Sequence, residues 1–194
     1  EWLDAASVED GMCAAAALVC RLPWMCCESR IVVRDGIEDQ KEREEIRQLL
    51  ELCDQDFVPP LSHRNSTSQT NWAETEEKTD GIAEYLENIC SQHVVLWKKE
   101  GVVRAFMTWK DHFNCENLEA YPDSCYLTTL CVWPDYRGQG ISEVMYAEAE
   151  KDIAAKFPGS RITLRTWSTN GAQEHILDKL GYGLDRKSTR LNSS

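Results

Sequence analysis

The segment at 127–153 (LTTLCVWPDYRGQGISEVMYAEAEKDI) restricts the fold more than any other stretch, because its hydrophobic period changes halfway along. In its first part Leu127, Leu130 and Val132 indicate a short apolar strand. Pro134 ends that strand, because proline cannot donate to a sheet ladder. The second part has apolar residues at helical spacing: Ile141, Val144, Met145, Ala149 and Ile153. The segment therefore predicts a strand, a tight turn and an amphipathic helix.

The turn between this strand and helix is rich in glycine, with Gly138 and Gly140 in the run RGQG at 137–140. A turn at a helix start leaves several backbone N–H groups unpaired, and the helix dipole adds partial positive charge there. Glycine lets the backbone approach a ligand closely or adopt a positive φ. Together these properties predict a phosphate-binding site, with a plain strand–turn–helix as the alternative reading.

The residues around this turn are similar to a known motif. Arg137-Gly138-Gln139-Gly140-Ile141-Ser142 resembles the acetyl-CoA pyrophosphate loop of the GNAT N-acetyltransferase superfamily. The family pattern is Arg or Gln, two residues, Gly, one residue, then Gly or Ala; Ser142 departs from the last place but is small. Downstream, Asn170 opens a predicted helix and Tyr182 follows its closing Gly181, which resembles the second motif of the same superfamily. Two motifs in the right order are more specific than either alone.

The resemblance implies a site for acetyl-CoA as a cosubstrate, with no metal. The pyrophosphate would lie on the backbone amides of 138–142, and Arg137 would add charge and order the loop. Main-chain groups of the preceding strand would pair with the pantetheine arm, which Asn170 would also contact. The coenzyme-binding residues implied in this way are Leu130, Cys131, Val132, Arg137, Gly138, Gln139, Gly140, Ile141, Ser142 and Asn170.

The rest of the chain predicts an α/β fold. Strands are expected at 31–33, 94–97, 102–109, 126–132 and 161–167, and helices at 38–53, 82–89, 140–155 and 170–180. Asp80 is a predicted N-cap, and Asn170 with Gln173 a predicted capping box. The strand, helix and strand across 126–167 predict a parallel pair with a right-handed crossover. The resemblance likewise implies a central twisted mixed sheet, an α+β arrangement flanked by about four helices.

Catalytic residues are harder to assign. The family's usual general acid is a tyrosine four residues before the glycine that ends the last helix, and Leu177 stands at that place. Candidates for proton transfer are Glu116, Glu119, Asp123 and His175, although a charged residue without a role is the alternative for each. In the family the region between the first two helices borders the acceptor site. His63 and Trp72, in the polar loop at 54–80, are therefore candidates for acceptor contact, although exposed loop residues without a role are the favoured alternative.

Charge and cysteine content limit the partners. A net charge of −12 makes nucleic acid a poor partner and suits a cationic substrate. No apolar run is long enough to predict a membrane partner. The nine cysteines are not spaced as metal ligands, and we expect reduced thiols in a cytoplasmic protein. The predicted partner is an amine, either a small molecule or a protein amine, and a homodimer is left open.

Both ends of the chain look foreign to the predicted domain. We expect the domain at 25–186, with Met25, or less favourably Met12, as its natural start. Residues 1–24 would be an appendage with no clear element beyond the alanine-rich 13–19, and 187–194 (KSTRLNSS) would be a scar of cloning or sequencing. The resemblance implies two more strands after Tyr182. A C-terminally truncated domain with an unpaired sheet edge is therefore expected.

The resemblance implies an N-acetyltransferase that transfers an acetyl group from acetyl-CoA to a primary amine, by direct attack in a ternary complex. Leu177 and the shortened C-terminal region keep a second hypothesis open, a non-catalytic coenzyme A binding module or pseudoenzyme. A third hypothesis is an α/β interaction domain that binds no nucleotide.

Overall fold

The computed structural model describes residues 2–7, 29–67, 78–111, 124–167 and 170–185. The strands are β1 Trp2–Ser7, β2 Ser29–Asp35, β3 His93–Lys99, β4 Val102–Lys110, β5 Ser124–Val132, β6 Arg161–Trp167 and β7 Tyr182–Asp185. Within the described ranges they form one sheet in the order β2-β3-β4-β5-β6-β1-β7. Neighbouring strands are antiparallel except β5 and β6, which are parallel. The predicted mixed sheet, with its parallel pair, is confirmed.

Helices cover both faces of this sheet. They are α1 Gln40–Cys53, α2 Gly81–Cys90, α3 Ile141–Lys156 and α4 Gly171–Lys179, with 3-10 turns at Asp54–Asp56, Leu61–His63 and Pro134–Tyr136. Apolar residues of α1 and α2 form one core cluster against the sheet, and those of α3 and α4 form another. None of the helices in the described ranges is both long and apolar enough to cross a membrane.

The helices form where local signals predict them. Asp39 accepts a hydrogen bond from the Glu42 amide at 2.8 Å and so caps α1, whose buried face is apolar at helical spacing. Asp80 caps α2 by accepting from the Ala83 amide at 3.2 Å, as predicted. The two helices lie on the sheet face opposite α3, where they reach the C-terminal half of β5.

We expected no clear element in residues 1–24 beyond the alanine-rich 13–19, and this is wrong for the first residues. Trp2–Ser7 is a strand that pairs antiparallel with both β6 and β7. The edge of β6 is therefore paired with β1, and β7, which begins at Tyr182, lies beyond β1 as the last strand of the sheet in the described residues. The physical reason is that an open strand edge presents free N–H and C=O groups, which any suitable extended segment can satisfy.

Candidate functional site

The two parallel strands at the centre of the sheet separate along their length. The paired register of β5 and β6 runs from Ser124 opposite Arg161 to Leu127 opposite Leu164. β5 then continues to Val132 without a β6 partner, while β6 continues to Trp167 alongside β1. A gap therefore opens between the C-terminal halves of the two strands, next to the start of α3.

Main-chain groups of β5 alternate between facing β4 and facing this gap. The amide of Trp133, just after the strand, donates to the Arg104 carbonyl of β4 at 2.8 Å. Bonded and non-bonded pairs alternate along antiparallel strands, so Cys131 also faces β4 whereas Leu130 and Val132 face the gap. The main chain of Cys131 pairs within the sheet and its thiol is buried, so a contact of Cys131 with the coenzyme stays a prediction.

The loop between β5 and α3 exposes the start of the helix. Gly138 and Gly140 have φ values of 72° and 78°, in the left-handed region that favours glycine. Gly140 is the N-cap of α3, and in the described part of the chain no side chain caps the first amides of this helix. These amides and the positive end of the helix dipole lie beside the open edge of β5. The predicted geometry of an anion site is therefore present.

Arg137 holds this loop to the rest of the fold. Its Nε donates to the Val132 carbonyl at 3.0 Å, and its Nη2 donates to the Cys53 sulfur at 3.3 Å and to the Asp56 carboxylate at 2.7 Å. A hydrogen bond from the Cys131 thiol, together with the Arg137 guanidinium, lowers the pKa of Cys53 below its ordinary value. The Asp56 carboxylate offsets the positive charge of Arg137. The clearest role of Arg137 is therefore to order the loop between β5 and α3.

The other predicted loop residues have local roles. Gln139 donates from its side chain to the Asp135 carbonyl at 2.9 Å, which closes the turn before the glycine. Ile141 is buried against the sheet and anchors the first turn of α3, and Ser142 is half-buried beside it. The departure from the family pattern at Ser142 therefore lies within the first turn of the helix.

Asn170 caps α4, but only half of the predicted capping box forms. Its side chain accepts from the Gln173 amide at 3.2 Å, whereas its own amide donates to the Trp167 carbonyl. The Gln173 side chain donates instead to the Tyr146 hydroxyl, which links α4 to α3. Burial raises the pKa of Tyr146, so this hydroxyl stays protonated at neutral pH.

The candidates for proton transfer are not brought together. His175 is on the exposed face of α4, and Leu177 is fully buried in the core between α3, α4 and the sheet. Tyr182 is also a core residue, and its hydroxyl donates to Glu150 at 2.8 Å. His63 is half-buried in the second 3-10 turn after α1. The candidates Glu116, Glu119, Asp123 and Trp72 lie outside the described residues.

A group of polar residues on the α1–α2 face was not predicted. The Tyr85 hydroxyl lies 2.7 Å from the Thr129 hydroxyl, and burial raises the pKa of Tyr85. Thr128 is the extra residue of a bulge in β5, and its hydroxyl donates to Gln92 at 2.6 Å. The one signal for this arrangement is the run Leu-Thr-Thr-Leu at 127–130, which breaks strict alternation of apolar and polar residues.

The described residues include one group with metal-ligand chemistry, far from the α3 start. Ligand atoms of Asp35, His93 and Asp152 lie within 4.8 Å of one another. The Lys156 ammonium contacts both Asp35 and Asp152, so a protein cation already occupies this group. The cysteines at 53, 90, 125 and 131 are free thiols, as expected for these four.

Comparison with known proteins agrees with this fold. The GNAT protein from Novosphingobium aromaticivorans has a TM-score of 0.53 at 14% identity, over 96% of this chain and 61% of its own length. The aminoglycoside N-acetyltransferase AAC(6')-Iy, in complex with CoA, has a TM-score of 0.57 at 14% identity, over 87% and 98%. The ribosomal-protein-alanine N-acetyltransferase of Brucella melitensis biovar Abortus has 0.54 at 14% identity, over 86% and 99%.

At 14% identity the structural likeness shows only the fold. The family is assigned from a match to the sequence. No curated protein matches the chain. The sequence model described as "Acetyltransferase (GNAT) family" matches residues 46–182, which include the second half of α1, all of α2 to α4, the gap between β5 and β6, and the uncapped start of α3. The chain therefore belongs to the GNAT acetyltransferase family.

Proposed function

We propose that the chain is an N-acetyltransferase that transfers the acetyl group of acetyl-CoA to a primary amine by direct attack in a ternary complex. The observation that carries the proposal is the juxtaposition of two main-chain surfaces that, within the described residues, have either no side-chain cap or no neighbouring strand. One is the uncapped start of α3, and the other is the edge of β5 beyond Leu127. Together they suit a ligand with an anionic end and an amide-bearing arm.

The coenzyme is proposed to lie along these two surfaces. The pyrophosphate would accept hydrogen bonds from amides of 138–142, and the pantetheine arm would pair with Leu130 and Val132 as an added strand does. Asn170, at the start of α4, would contact the same arm. Support comes from solved structures of AAC(6')-Iy, one with CoA and one with a bisubstrate analogue, and from a Salmonella typhimurium protein solved with acetyl-CoA.

The acceptor is proposed to approach from the opposite face of the sheet. A coenzyme in the gap would occupy the side covered by α3 and α4. The other side of the C-terminal half of β5 is covered by α1, α2 and the connection at 54–67, where the Tyr85 and Thr129 hydroxyls meet. The net charge of −12 favours a cationic amine over a neutral or anionic acceptor.

The residues then act mainly by positioning. Bound acetyl-CoA supplies an activated thioester carbonyl carbon. A lysine-like amine has a pKa about 3.4 units above neutral, so exposing its lone pair costs about 4–5 kcal/mol, which a base or a water chain would offset. A leaving thiolate with a pKa of about 8.5 is only about 2 kcal/mol from its protonated form at neutral pH. The absence of an acid side chain at Leu177 is therefore compatible with turnover.

Leu177 also favours a second candidate function, a non-catalytic coenzyme A binding module. The two functions are separated by measuring thiol release from acetyl-CoA against a panel of amines, with calorimetric titration of CoA on the same protein. Release with at least one amine supports the transferase. Binding of CoA without release for any amine supports the module, and no binding of CoA overturns both.

A further inference from the structure

Arg137 is a junction between three parts of the fold. Through Val132 it holds the end of β5, through Cys53 the end of α1, and through Asp56 the 3-10 turn that follows α1. Asp56 and Arg137 are 81 positions apart in sequence. The loop proposed to bind pyrophosphate is thus joined by one side chain to the connection proposed to border the acceptor.

The connection at 54–67 is tightly braced. Both carboxylate oxygens of Asp54 accept from Ser62, from its amide at 2.8 Å and its hydroxyl at 3.0 Å. A Cβ placed on Gly81 would lie 1.8 Å from the Ser62 carbonyl oxygen, so the start of α2 is packed directly on this connection. A change in the position of Asp56 is therefore expected to extend through Ser62 to α2.

The loop on the other side of Arg137 is bare at its first glycine. Gly138 is exposed, and a Cβ placed there would meet nothing within 4 Å. Among the described contacts of this loop, those of Arg137 are the ones that reach the end of α1 and the 3-10 turn after it. A ligand bound to the amides of 138–142 would fix the backbone that carries Arg137.

We infer that Arg137, with Asp56 as its positioning partner, couples coenzyme binding to the order of the acceptor-side connection at 54–67. Coenzyme binding fixes the loop, the loop fixes the guanidinium, and the guanidinium fixes Asp56. This inference rests on the proposed placement of the coenzyme at the start of α3.

Charge distinguishes this role from a simple contribution to coenzyme affinity. Asp56 lies 2.7 Å from Arg137 and carries the same sign as a pyrophosphate. Loss of its charge removes a competitor for the guanidinium, so it should not weaken CoA binding. A positioning partner is expected to affect the response of 54–67 to CoA while leaving CoA affinity intact.

The test is hydrogen exchange of the full chain with and without saturating CoA, in the wild type, Asp56→Asn and Glu51→Gln. The control Glu51→Gln removes a nearby exposed charge that pairs with Arg47 and not with Arg137. In the wild type and the control, CoA should slow exchange in 54–67 by about fivefold or more, within the usual range of coupling between sites. In Asp56→Asn this protection should fall below about twofold, with CoA affinity equal to or higher than that of the wild type.

Protection of 54–67 that persists in Asp56→Asn would overturn the coupling, as would its absence in a wild type that binds CoA. Failure of the wild type to bind CoA would instead overturn the proposed function. Asp56→Glu keeps the carboxylate and should restore part of the protection. If circular dichroism shows that Asp56→Asn is unfolded, Arg137→Lys is used in its place. Lysine keeps the charge but cannot contact Cys53 and Asp56 with one planar group.

Discussion

The four helices of the described residues begin in two different ways. α1, α2 and α4 are capped by Asp39, Asp80 and Asn170, which accept from amides three residues onward at 2.8, 3.2 and 3.2 Å. α3 begins instead at Gly140, which has a φ of 78° and no side chain to offer. An oxygen-bearing cap is the ordinary way to satisfy the first turn of a helix. The contrast is what the proposed ligand site requires, because the first amides of α3 are free of a side-chain cap.

The largest effect is expected when α3 is made to resemble the other three. Gly140→Asp places a carboxylate where we propose the pyrophosphate, and the positive φ adds strain of roughly 1–2 kcal/mol. We expect the Kd for CoA, measured by calorimetry, to rise at least about 100-fold, or about 2.7 kcal/mol. Gly140→Ala carries the strain without the charge and should lose much less. Equal losses in the two variants would show that the site needs the glycine and not the free amides.

The second prediction tests whether Asn170, which caps α4, also contacts the coenzyme. Asn170→Ala should lower the free energy of unfolding by about 1 kcal/mol, while Asn170→Asp should keep it because Asp caps equally well. Both variants lose the side-chain amide donor, so both should raise the Kd for CoA by about tenfold, or 1.4 kcal/mol. Urea unfolding and CoA titration measure the two effects. If Asn170→Asp binds CoA as the wild type does, Asn170 only caps the helix.

The third variant removes a cap that has no proposed function. Asp39→Ala should lower the free energy of unfolding by about 1 kcal/mol, because the Glu42 amide loses its acceptor. The Kd for CoA should change by less than about twofold, since α1 starts far from the loop in sequence and in the sheet order. Urea unfolding with CoA titration checks both values. A large loss of CoA affinity would remove the distinction between structural and functional helix starts.

The smallest effect is expected at the C-terminal end of α3, where Lys156 forms an ion pair with Asp35. Hydrogen bonds from Lys156 and His93 hold the pKa of Asp35 below its ordinary value of 3.8. This carboxylate therefore stabilises the fold above pH 3.8, and the contribution is lost as the pH falls through the lowered pKa. Asp35→Asn should lower Tm slightly at pH 6 and make its acid decline below about pH 4 less steep. Parallel curves for the two proteins would contradict this.

Local signals in the sequence predict most of the fold. The change of period at 127–153 predicts β5, the glycine turn and α3, and the structure has them within a few residues. Asp80 caps α2 as predicted, because an N-cap depends only on residues three positions apart. The uncapped start of α3 is predictable for the same reason, since it needs no information from outside the loop.

Contacts between distant parts of the chain carry no such signal. Nothing near Arg137 in sequence indicates that it meets Cys53 and Asp56, since that contact depends on how α1 packs on the sheet. Gln173 has a local partner in the predicted capping box, yet it bonds Tyr146 because α3 lies beside α4 in the fold. Trp2–Ser7 is a strand only because β6 and β7 offer it two edges. Tertiary placement decides each of these cases.

The position of β1 has a consequence for how the chain reaches its final form. A polypeptide leaves the ribosome with its N-terminal residues first, so 2–7 emerge long before their partners at 161–167 and 182–185. Until residues 161–185 have been made, this segment has no ladder to join, and β7 has no neighbour without it. Closing such a long loop is slow. Assembly of this end of the sheet is therefore expected to be a late event, completed after translation of the glycine loop at 137–140.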